Sequence, residues 1–330
     1  MAQWFEEPRI YVENVPHGEP AYEISADDVV TALSDVCRPE ALTCRYADDR
    51  DLEAFRRADI FVASKLDRAL ITTEGENLRL IQCTSAGVEK YAPFDWLKPS
   101  VLLTNASGVH AQKAGEFGLM ATLMLQNHVP AMVTRQRRHV WSRQLRAPAS
   151  GTRVMVFGVG ALGGAIAGRL KANGFHVTGV RRSGEPHDAV DYMITPDAFI
   201  TELTRTDILI LTCPLTEETR SLVSFREFAA MPPGAGLLNL SRGQVVDHSA
   251  LVPALKRGQL SGAILDVFDI EPLPVDSELW DAPNLMVFPH VSADSPDGYN
   301  LRCLAILAEN LERARSGKQL RNVVNPELGY

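Results

Sequence analysis

The sequence predicts an α/β protein made of two doubly wound domains, and three observations lead to this prediction. The chain has 330 residues, which is enough for two domains of ordinary size. Short apolar runs alternate with segments of helical periodicity, the pattern of parallel sheets that helices cover on both faces. Hydrophobic residues make up 45% of the chain and charged residues 22%, which is typical of globular proteins and not of disordered, collagen-like or coiled-coil chains.

Charge and cysteine content exclude several classes of function. The net charge is −8 and no basic block stands out, so we expect no nucleic-acid surface. The first ten residues, MAQWFEEPRI, have no long apolar core, and no run of about 18 apolar residues occurs, so neither a signal peptide nor a membrane span is expected. The five cysteines show no C-x-x-C spacing, which indicates a reducing cytoplasm, no disulfide framework and no metal site.

The first domain is predicted from strands and helices in the N-terminal third. Residues 9–14 form the first predicted strand. Ser25 is a predicted N-cap with Asp28 three residues later, before an apolar stripe that includes Val29 and Leu33. Further strands are predicted at 59–64, 79–83 and 101–105, and a long helix at 109–126.

A second series of strands and helices follows a loop at 146–151. Asn173-Gly174 is a typical helix end, Thr195-Pro196 a helix start, and Asp247 caps a helix that ends near Gly258. The spacing predicts one doubly wound domain of six strands, at 153–157, 175–180, 207–213, 236–240, 262–268 and 285–289. A last helix is predicted at 297–316, and it could return to the first domain.

A glycine motif after the strand at 153–157 predicts a dinucleotide site. Gly158 permits a tight turn, Gly160 lets the backbone approach a pyrophosphate, and Gly163 lets the helix pack closely on the sheet. The helix that begins with Ala161 and Leu162 presents free N–H groups to the phosphates. A packing turn is the alternative for an isolated motif, but here both flanking strands and the helix are predicted.

The end of the next strand indicates which dinucleotide is bound. NAD-binding sites place a carboxylate there for the ribose 2′-hydroxyl, whereas this chain has Arg181, Arg182 and Ser183. Two guanidinium groups and a hydroxyl suit a 2′-phosphate. The sequence therefore favours NADP(H), with NAD(H) as an alternative cofactor, although a solvated basic turn is another interpretation.

Three motifs in the C-terminal half occur in a specific order. They are N-x-x-R-G from Asn239, L-D-V-F-x-x-E-P-L-P from Leu265 and P-H-x-S-A from Pro289. With these motifs the sequence resembles the D-isomer-specific 2-hydroxyacid dehydrogenases, a family that includes glyoxylate/hydroxypyruvate reductases and phosphoglycerate dehydrogenase. The resemblance also covers 81–91, 104–119 and 212–223, and therefore most of the chain.

The resemblance implies a catalytic triad of Arg242, Glu271 and His290. His290 would protonate the substrate carbonyl oxygen, and Glu271 would orient the ring and favour its protonated form. Arg242 would bind the substrate carboxylate and polarise the ketone. Taken singly, these residues could be a surface arginine, a loop carboxylate and an ordinary histidine at a strand end.

Further positions are implied by the same resemblance. Ser85, Ala86 and Gly87 would hold the substrate carboxylate by backbone N–H groups, although an ordinary glycine turn is the alternative. Asp266 would lie beside the nicotinamide carboxamide, with a capping aspartate as the alternative. The remaining positions implied for the cofactor are Cys213, Pro214, Thr219, Leu240, Ser241 and Ser292. Cys213 is interpreted as a packing thiol, since no acid–base partner lies near it in sequence.

Three positions depart from the usual family pattern, and a fourth has two interpretations. Phe288, His248 and Gly115 depart from the usual family pattern, but none removes a reactive group. Trp141 lies in a loop that similar enzymes use at a dimer contact, sometimes reaching the partner's pocket; core packing is the alternative.

The resemblance implies a flavodoxin-like substrate domain, split between 1–105 and 297–330, and an inserted Rossmann domain for NAD(P) at 106–296. The implied activity is hydride transfer between NADP(H) and the C2 atom of a small 2-ketoacid or D-2-hydroxyacid, such as glyoxylate or hydroxypyruvate, in a homodimer. Two alternatives are an NAD-linked enzyme similar to D-3-phosphoglycerate dehydrogenase and a corepressor-like protein that senses the nucleotide.

Overall fold

The chain forms two compact units, which are described separately. The computed structural model describes residues 4–34, 37–295 and 297–329. The first unit, called the split unit, combines Met1–Val109 with Ser295–Tyr330, and the second, called the inserted unit, is His110–Asp294. The domain boundary expected at residue 296 lies outside the described residues.

The split unit contains a parallel sheet of five strands among the described residues, in the order β2-β1-β3-β4-β5. The strands are β1 (Ile10–Asn14), β2 (Leu42–Tyr46), β3 (Ile60–Ala63), β4 (Leu80–Cys83) and β5 (Leu102–Thr104). The sequence prediction lacked β2. This strand lies at the sheet edge, and none of its side chains is fully buried, so it has no buried apolar run to reveal it.

Helices cover both faces of this sheet. They are α1 (Ala26–Leu33), α2 (Leu52–Arg57), α3 (Arg68–Glu74) and the C-terminal α10 (Tyr299–Arg315). The capping box predicted for Ser25 and Asp28 is confirmed, with the Ser25 hydroxyl accepting from the Asp28 N–H. Helix α10 buries Leu304 and Leu307 against the sheet face that also carries Val12 from β1. The C-terminal helix therefore completes the core of the split unit.

The inserted unit contains a parallel sheet of seven strands within the described ranges, in the order β12-β11-β10-β9-β6-β7-β8. The strands are β6 (Arg153–Phe157), β7 (His176–Val180), β8 (Tyr192–Ile194), β9 (Ile208–Leu211), β10 (Ala235–Asn239), β11 (Leu260–Leu265) and β12 (Leu285–Val287). The prediction of six strands was wrong by one, because β8 is a short edge strand with only Ile194 buried.

The helices of the inserted unit are α4 (Ala111–Gln126), α5 (Val129–Arg137), α6 (Ala161–Ala172), α7 (Phe199–Leu203), α8 (Phe225–Ala230) and α9 (His248–Lys256). The predicted helix ends are confirmed: Gly174 follows α6 with φ +83°, and the Asp247 side chain caps α9 by accepting from Ser249 N–H. From β6 the chain continues through β7 and β8 on one side of the sheet. It then returns to β9, on the other side of β6, and continues outward through β10, β11 and β12. Ligand crevices open at such a switch point in doubly wound sheets.

No helix in the described part of the chain is long and apolar enough to span a membrane. Among the same residues, no group of three or more histidine, cysteine, aspartate or glutamate side chains is arranged to hold a metal ion.

Candidate active site

The glycine turn lies at the switch point of the inserted unit, between β6 and α6. Gly158 has φ +105°, and a Cβ atom there would lie 2.6 Å from the Cys213 nitrogen. A Cβ atom at Gly163 would lie 2.2 Å from the Gly158 oxygen, so only glycine fits either position. At Gly160, in contrast, a Cβ atom would meet nothing within 4 Å. The turn therefore leaves open space beside the N-terminus of α6, where no side chain of the described residues caps the helix.

Thr212 fixes this turn, and the sequence analysis did not assign it a role. It follows β9, and its hydroxyl donates to the Gly158 carbonyl at 2.9 Å. The only sequence signal was its position, one residue before Cys213. The turn and the loop after β9 are thus held together from opposite sides of the switch point.

The basic residues after β7 carry acidic partners that the sequence did not predict. Arg181 donates to the Ser183 hydroxyl at 2.9 Å and to Glu185 at 2.7 Å, and Arg182 donates to Glu218 at 3.0 Å. Both glutamates are largely exposed, with 73% and 77% of their side chains accessible. Exposed ion pairs contribute about 0–1 kcal/mol, so a dianionic phosphate can displace these carboxylates at little cost.

The loop after β9 is ordered by its own hydroxyl groups. Thr219 donates to the Pro214 carbonyl at 2.7 Å and accepts from the Thr216 N–H at 2.8 Å. Burial raises the pKa of Cys213 to about 12, so its thiol stays protonated at neutral pH. This agrees with the interpretation of Cys213 as a packing thiol.

A buried amide shapes the turn that carries Arg242. Asn239 ends β10, and its side-chain oxygen accepts from the Ser241 N–H at 3.0 Å and the Ser241 hydroxyl at 2.5 Å. Its side-chain nitrogen donates to the Arg242 carbonyl at 3.0 Å. The guanidinium of Arg242 donates to the Ser241 carbonyl at 2.8 Å, while Leu240 and Ser241 are buried. Asn239 was noted only as the first letter of its motif, and the structure identifies it as the residue that orders the turn.

Glu271 and His290 are brought into direct contact. One carboxylate oxygen of Glu271 lies 2.7 Å from His290 Nδ1, and the other accepts from the Phe268 N–H at 2.9 Å. Half of the His290 side chain is exposed. Because Nδ1 is engaged by a carboxylate, Nε2 is the ring atom available for proton exchange. His290 has φ +54°, a strained conformation for a residue other than glycine.

Asp266 holds the segment immediately after the histidine. It is buried after β11, and it accepts from Val291 N–H at 2.9 Å, from Ser292 N–H at 3.1 Å and from the Ser292 hydroxyl at 2.5 Å. Burial raises the pKa of Asp266, and these hydrogen bonds oppose the rise. The described contacts are those of the capping aspartate considered as the alternative. A contact with the nicotinamide stays a prediction.

The Arg242 turn packs directly onto the segment that leads to Glu271. A Cβ atom on Gly243 would lie 2.1 Å from the Phe268 carbonyl carbon and 2.3 Å from the Asp269 nitrogen. Arg242, Glu271 and His290 therefore follow three neighbouring parallel strands, β10, β11 and β12, at one edge of the sheet.

In the split unit, the loop from Ser85 to Gly87 follows β4. The Ser85 hydroxyl donates to the Ser64 carbonyl at 3.3 Å, and the Asn105 amide donates to the Ala86 carbonyl at 2.9 Å. The N–H groups of Ala86 and Gly87 donate to no atom of the residues that the structure describes. The loop is ordered through its carbonyl side, which leaves N–H donors for an anion.

The unusual positions have structural explanations. Phe288 packs edge-to-face on Phe117, with the ring centroids 4.9 Å apart. A Cβ atom at Gly115 would lie 2.8 Å from the Arg169 side chain, so glycine makes room for it. Burial lowers the pKa of His248, whose Nδ1 atom lies 3.7 Å from a carboxylate oxygen of Asp269. Trp141 is 98% exposed, which rules out core packing within the chain.

Comparisons with known proteins cover both units. The model of the D-isomer specific 2-hydroxyacid dehydrogenase NAD-binding domain matches residues 119–292. Glyoxylate/hydroxypyruvate reductase B of Pectobacterium carotovorum is 30% identical over 323 residues, which cover 93% of this chain and 97% of the relative. The corresponding reductase B of Citrobacter koseri is 30% identical over 300 residues, covering 88% and 90%.

Solved structures of similar proteins match nearly the whole chain. A D-isomer specific 2-hydroxyacid dehydrogenase from Xanthobacter autotrophicus, in complex with NADPH and MES, has a TM-score of 0.83 and 29% identity, covering 98% of this chain and 100% of that chain. An NADPH-dependent glyoxylate/hydroxypyruvate reductase from Sinorhizobium meliloti, in complex with NADP and sulfate, has a TM-score of 0.78 and 26% identity, covering 97% and 99%.

Proposed function

The chain belongs to the D-isomer specific 2-hydroxyacid dehydrogenase family, and from this premise we propose that it reduces small 2-ketoacids, such as glyoxylate and hydroxypyruvate, preferably with NADPH. As a member of this family the chain is an NAD(P)-linked oxidoreductase. The observation that carries the proposal is the 2.7 Å contact between His290 Nδ1 and Glu271 in the unit that holds the glycine turn.

The inserted unit has the features that NADP(H) requires. The open space at Gly160 and the uncapped N-terminus of α6 suit the pyrophosphate, and Arg181, Arg182 and Ser183 suit the 2′-phosphate. When bound, the cofactor supplies the hydride for the ketone carbon. NAD(H) is an alternative cofactor of lower affinity, because it offers no phosphate to the two guanidinium groups.

The proton for the ketone oxygen comes from His290. Glu271 engages Nδ1, so that Nε2 can donate to the oxygen as negative charge develops there. In the reverse direction the neutral ring accepts that proton. Asp266 keeps the backbone after the histidine in place through its contacts with Val291 and Ser292.

The substrate carboxylate is assigned to two groups of donors. Arg242 offers a planar pair of N–H donors, and the turn that carries it is ordered by Asn239 and packs on the segment that leads to Glu271. Ser85, Ala86 and Gly87 of the split unit offer backbone N–H groups. The split unit is thereby proposed as the substrate domain and the inserted unit as the cofactor domain.

We also propose a cytoplasmic homodimer. All five cysteines are free in the structure, which fits a reducing compartment. Val140, Trp141 and Leu145 lie in a segment without helix or strand and are 51%, 98% and 79% exposed. The neighbouring α4 and α5 also expose Met120 and Met132. Apolar side chains exposed to this degree in one region are typical of an interface, here with a second copy of the chain.

The decisive experiment compares the unmodified protein with His290→Gln in assays of glyoxylate and hydroxypyruvate, each with NADPH and NADH. We expect higher kcat/KM with NADPH, and a kcat about 10²–10⁴ lower in the variant, because the general acid is lost. NADPH affinity, measured by fluorescence titration, should change little. His176→Gln makes the same change at an exposed strand position of the same unit and should have normal activity.

Three outcomes would contradict the proposal. A fully active His290→Gln would remove the histidine from its assigned role. Higher kcat/KM with NADH would favour the alternative similar to D-3-phosphoglycerate dehydrogenase. NADPH binding without turnover of any 2-ketoacid would favour the nucleotide-sensing binding protein.

A further inference from the structure

The first turns of α10 lie against the loops that follow β4 and β5 of the split unit. Tyr299, the first residue of α10, is buried, and its ring packs edge-to-face on Tyr22 with the ring centroids 4.9 Å apart. Tyr299 also belongs to a small apolar cluster with Ala106 and Val109, which follow β5. The Arg302 guanidinium donates to the Val109 carbonyl at 3.1 Å. The start of α10 is therefore fixed beside the loop after β5.

Two side chains of α10 donate to the carbonyl of Thr84, the first residue after β4. The Tyr299 hydroxyl donates to this carbonyl, and the Cys303 thiol does so at a sulfur–oxygen distance of 3.7 Å. Burial raises the pKa of Tyr299 and raises the pKa of Cys303 to about 12, so both groups keep the protons that they donate at neutral pH. Because a thiol is a weak donor, the Tyr299 hydroxyl is the main partner of the carbonyl.

The Thr84 carbonyl is the first of three consecutive carbonyls that are anchored in the loop after β4. The Ser85 carbonyl accepts from the Ala106 N–H at 3.1 Å. The Ala86 carbonyl accepts from the Asn105 side-chain amide at 2.9 Å. Two donors after β5 and the hydroxyl on α10 therefore hold three peptides in a row.

Peptide geometry converts these contacts into an orientation of the N–H groups. In a trans peptide, the C=O of one residue and the N–H of the next residue point in opposite directions. The anchored carbonyls of Ser85 and Ala86 therefore turn the following N–H groups away from the loop after β5. These N–H groups, of Ala86 and Gly87, donate to no atom of the ranges that the structure describes. The Thr84–Ser85 peptide comes first, and its orientation sets the direction in which the other two leave β4.

We propose that Tyr299 is a positioning residue for substrate binding, because its hydroxyl fixes the first peptide of the loop assigned to the substrate carboxylate. The proposal rests on the function proposed above. Without the hydroxyl, the Thr84 carbonyl keeps only the weak thiol donor of α10, and the N–H groups of Ala86 and Gly87 lose their fixed direction. The loop binds the carboxylate alike before and during hydride transfer, so the loss affects KM and not kcat.

The test compares Tyr299→Phe with the unmodified protein in the reduction of glyoxylate and hydroxypyruvate with NADPH. Phenylalanine keeps the ring that packs on Tyr22 and removes only the hydroxyl. We expect KM for both ketoacids to rise about tenfold, while kcat and NADPH affinity stay within about twofold.

Tyr11→Phe is the matched control. Tyr11 is also buried in the split unit, and its hydroxyl also bonds to the backbone, accepting from the Asp51 N–H at 3.1 Å. This contact lies at the start of α2 and not at the loop after β4. The control should leave KM within about twofold of the unmodified protein. An equal rise of KM in both variants would indicate a general disturbance of the split unit and would overturn the proposal.

Oxalate, a non-reducible analogue of glyoxylate, provides a readout that does not depend on turnover. Its Kd for the complex with NADPH, measured from the cofactor fluorescence, should be about tenfold higher in Tyr299→Phe and unchanged in Tyr11→Phe. If KM and the oxalate Kd stayed unchanged in Tyr299→Phe, or if only kcat fell, the positioning role would be wrong and the proposed reductase activity would stand. If the unmodified protein reduced no 2-ketoacid, the proposed function would be wrong, whereas weaker oxalate binding by Tyr299→Phe would still support the role of the hydroxyl in anion binding.

Discussion

His290, the proposed general acid, is held by two residues that follow strand β11. Glu271 engages its ring, Asp266 holds the two residues after it, and its own backbone adopts φ +54°. Strained conformations persist only where surrounding contacts over-determine them. The contacts of Asp266 and Glu271 provide this support, so His290 is presented in one orientation.

Glu271→Gln tests the role assigned to the carboxylate. The amide oxygen can still accept a hydrogen bond from Nδ1, but it carries no negative charge to strengthen that bond. We expect kcat for ketoacid reduction to fall about tenfold to a hundredfold, with little change in NADPH affinity or in KM. Steady-state kinetics and a cofactor titration check this.

Glu278→Gln is the control for that substitution, since it neutralises a carboxylate in the following 3₁₀ helix. It should have normal kcat. If Glu271→Gln matched the unmodified protein in kcat, the charge of Glu271 would have no part in proton transfer.

At the scale of the secondary-structure elements, helix α9 carries a titratable residue at its start. His248 lies beside Asp247 and Asp269, and its ring centroid is 6.5 Å from that of Phe268, in the segment that leads to Glu271. Burial lowers the pKa of His248, although both aspartates oppose this effect. The neutral ring is therefore the form that the folded protein favours.

This shift predicts how stability depends on pH. Because the folded-state pKa lies below the ordinary value near 6.5, the unfolded chain binds this proton more readily as pH falls. The contribution of His248 to the free energy of unfolding should therefore be present above about pH 6.5 and be lost at lower pH, with a slope of at most about 1.4 kcal/mol per pH unit.

His248→Thr removes the titrating group. In urea unfolding from pH 7.5 to 5.5, the free energy of unfolding should decrease less steeply for the variant than for the unmodified protein. If the free energy of unfolding varied with pH in parallel for the two proteins, His248 would have the same pKa in the folded and unfolded states.

Residues that mark helix ends made several helices predictable from the sequence, whereas the edge strands could not be predicted. Ser25, Asp247 and Asn173-Gly174 mark helix ends by chemistry within a few residues, so sequence suffices for them. Strands β2 and β8 gain their stability from backbone pairing at a sheet edge, with little side-chain burial, and the hydrophobic pattern therefore misses them.

The candidate site shows the same difference between features with a local sequence signal and features that depend on distant contacts. Motifs predicted the glycine turn and the residues of the proposed triad, because each needs a specific residue at a specific spacing. The supporting contacts were missed: Thr212 on the glycine turn and the carboxylate of Glu218 on Arg182 come from distant parts of the chain. Only the three-dimensional structure brings such partners together.

At the scale of the whole molecule, the exposed apolar segment with Trp141 and Leu145 is the feature that suggests assembly. A buried interface is the usual explanation for a tryptophan that is 98% exposed in the single chain. We therefore expect light scattering after size exclusion to give twice the chain mass of 36.2 kDa.

Trp141→Glu/Leu145→Glu should weaken the dimer at least about tenfold, since it buries two charges in an apolar contact. Val275→Glu is a suitable control, because Val275 is 97% exposed but lies outside the segment. Unchanged dimer mass for the double variant at micromolar concentrations would place the interface elsewhere.

The return of α10 to the split unit has a consequence for protein synthesis. The sheet face with Val12, Val62 and Leu80 is covered by Leu304 and Leu307 of α10, which are translated after the inserted unit. The inserted unit is translated completely before that point, and domains generally fold as units as they emerge. The N-terminal strands therefore keep this apolar face uncovered while the inserted unit is translated, and the core of the split unit is completed only after α10 has been synthesised.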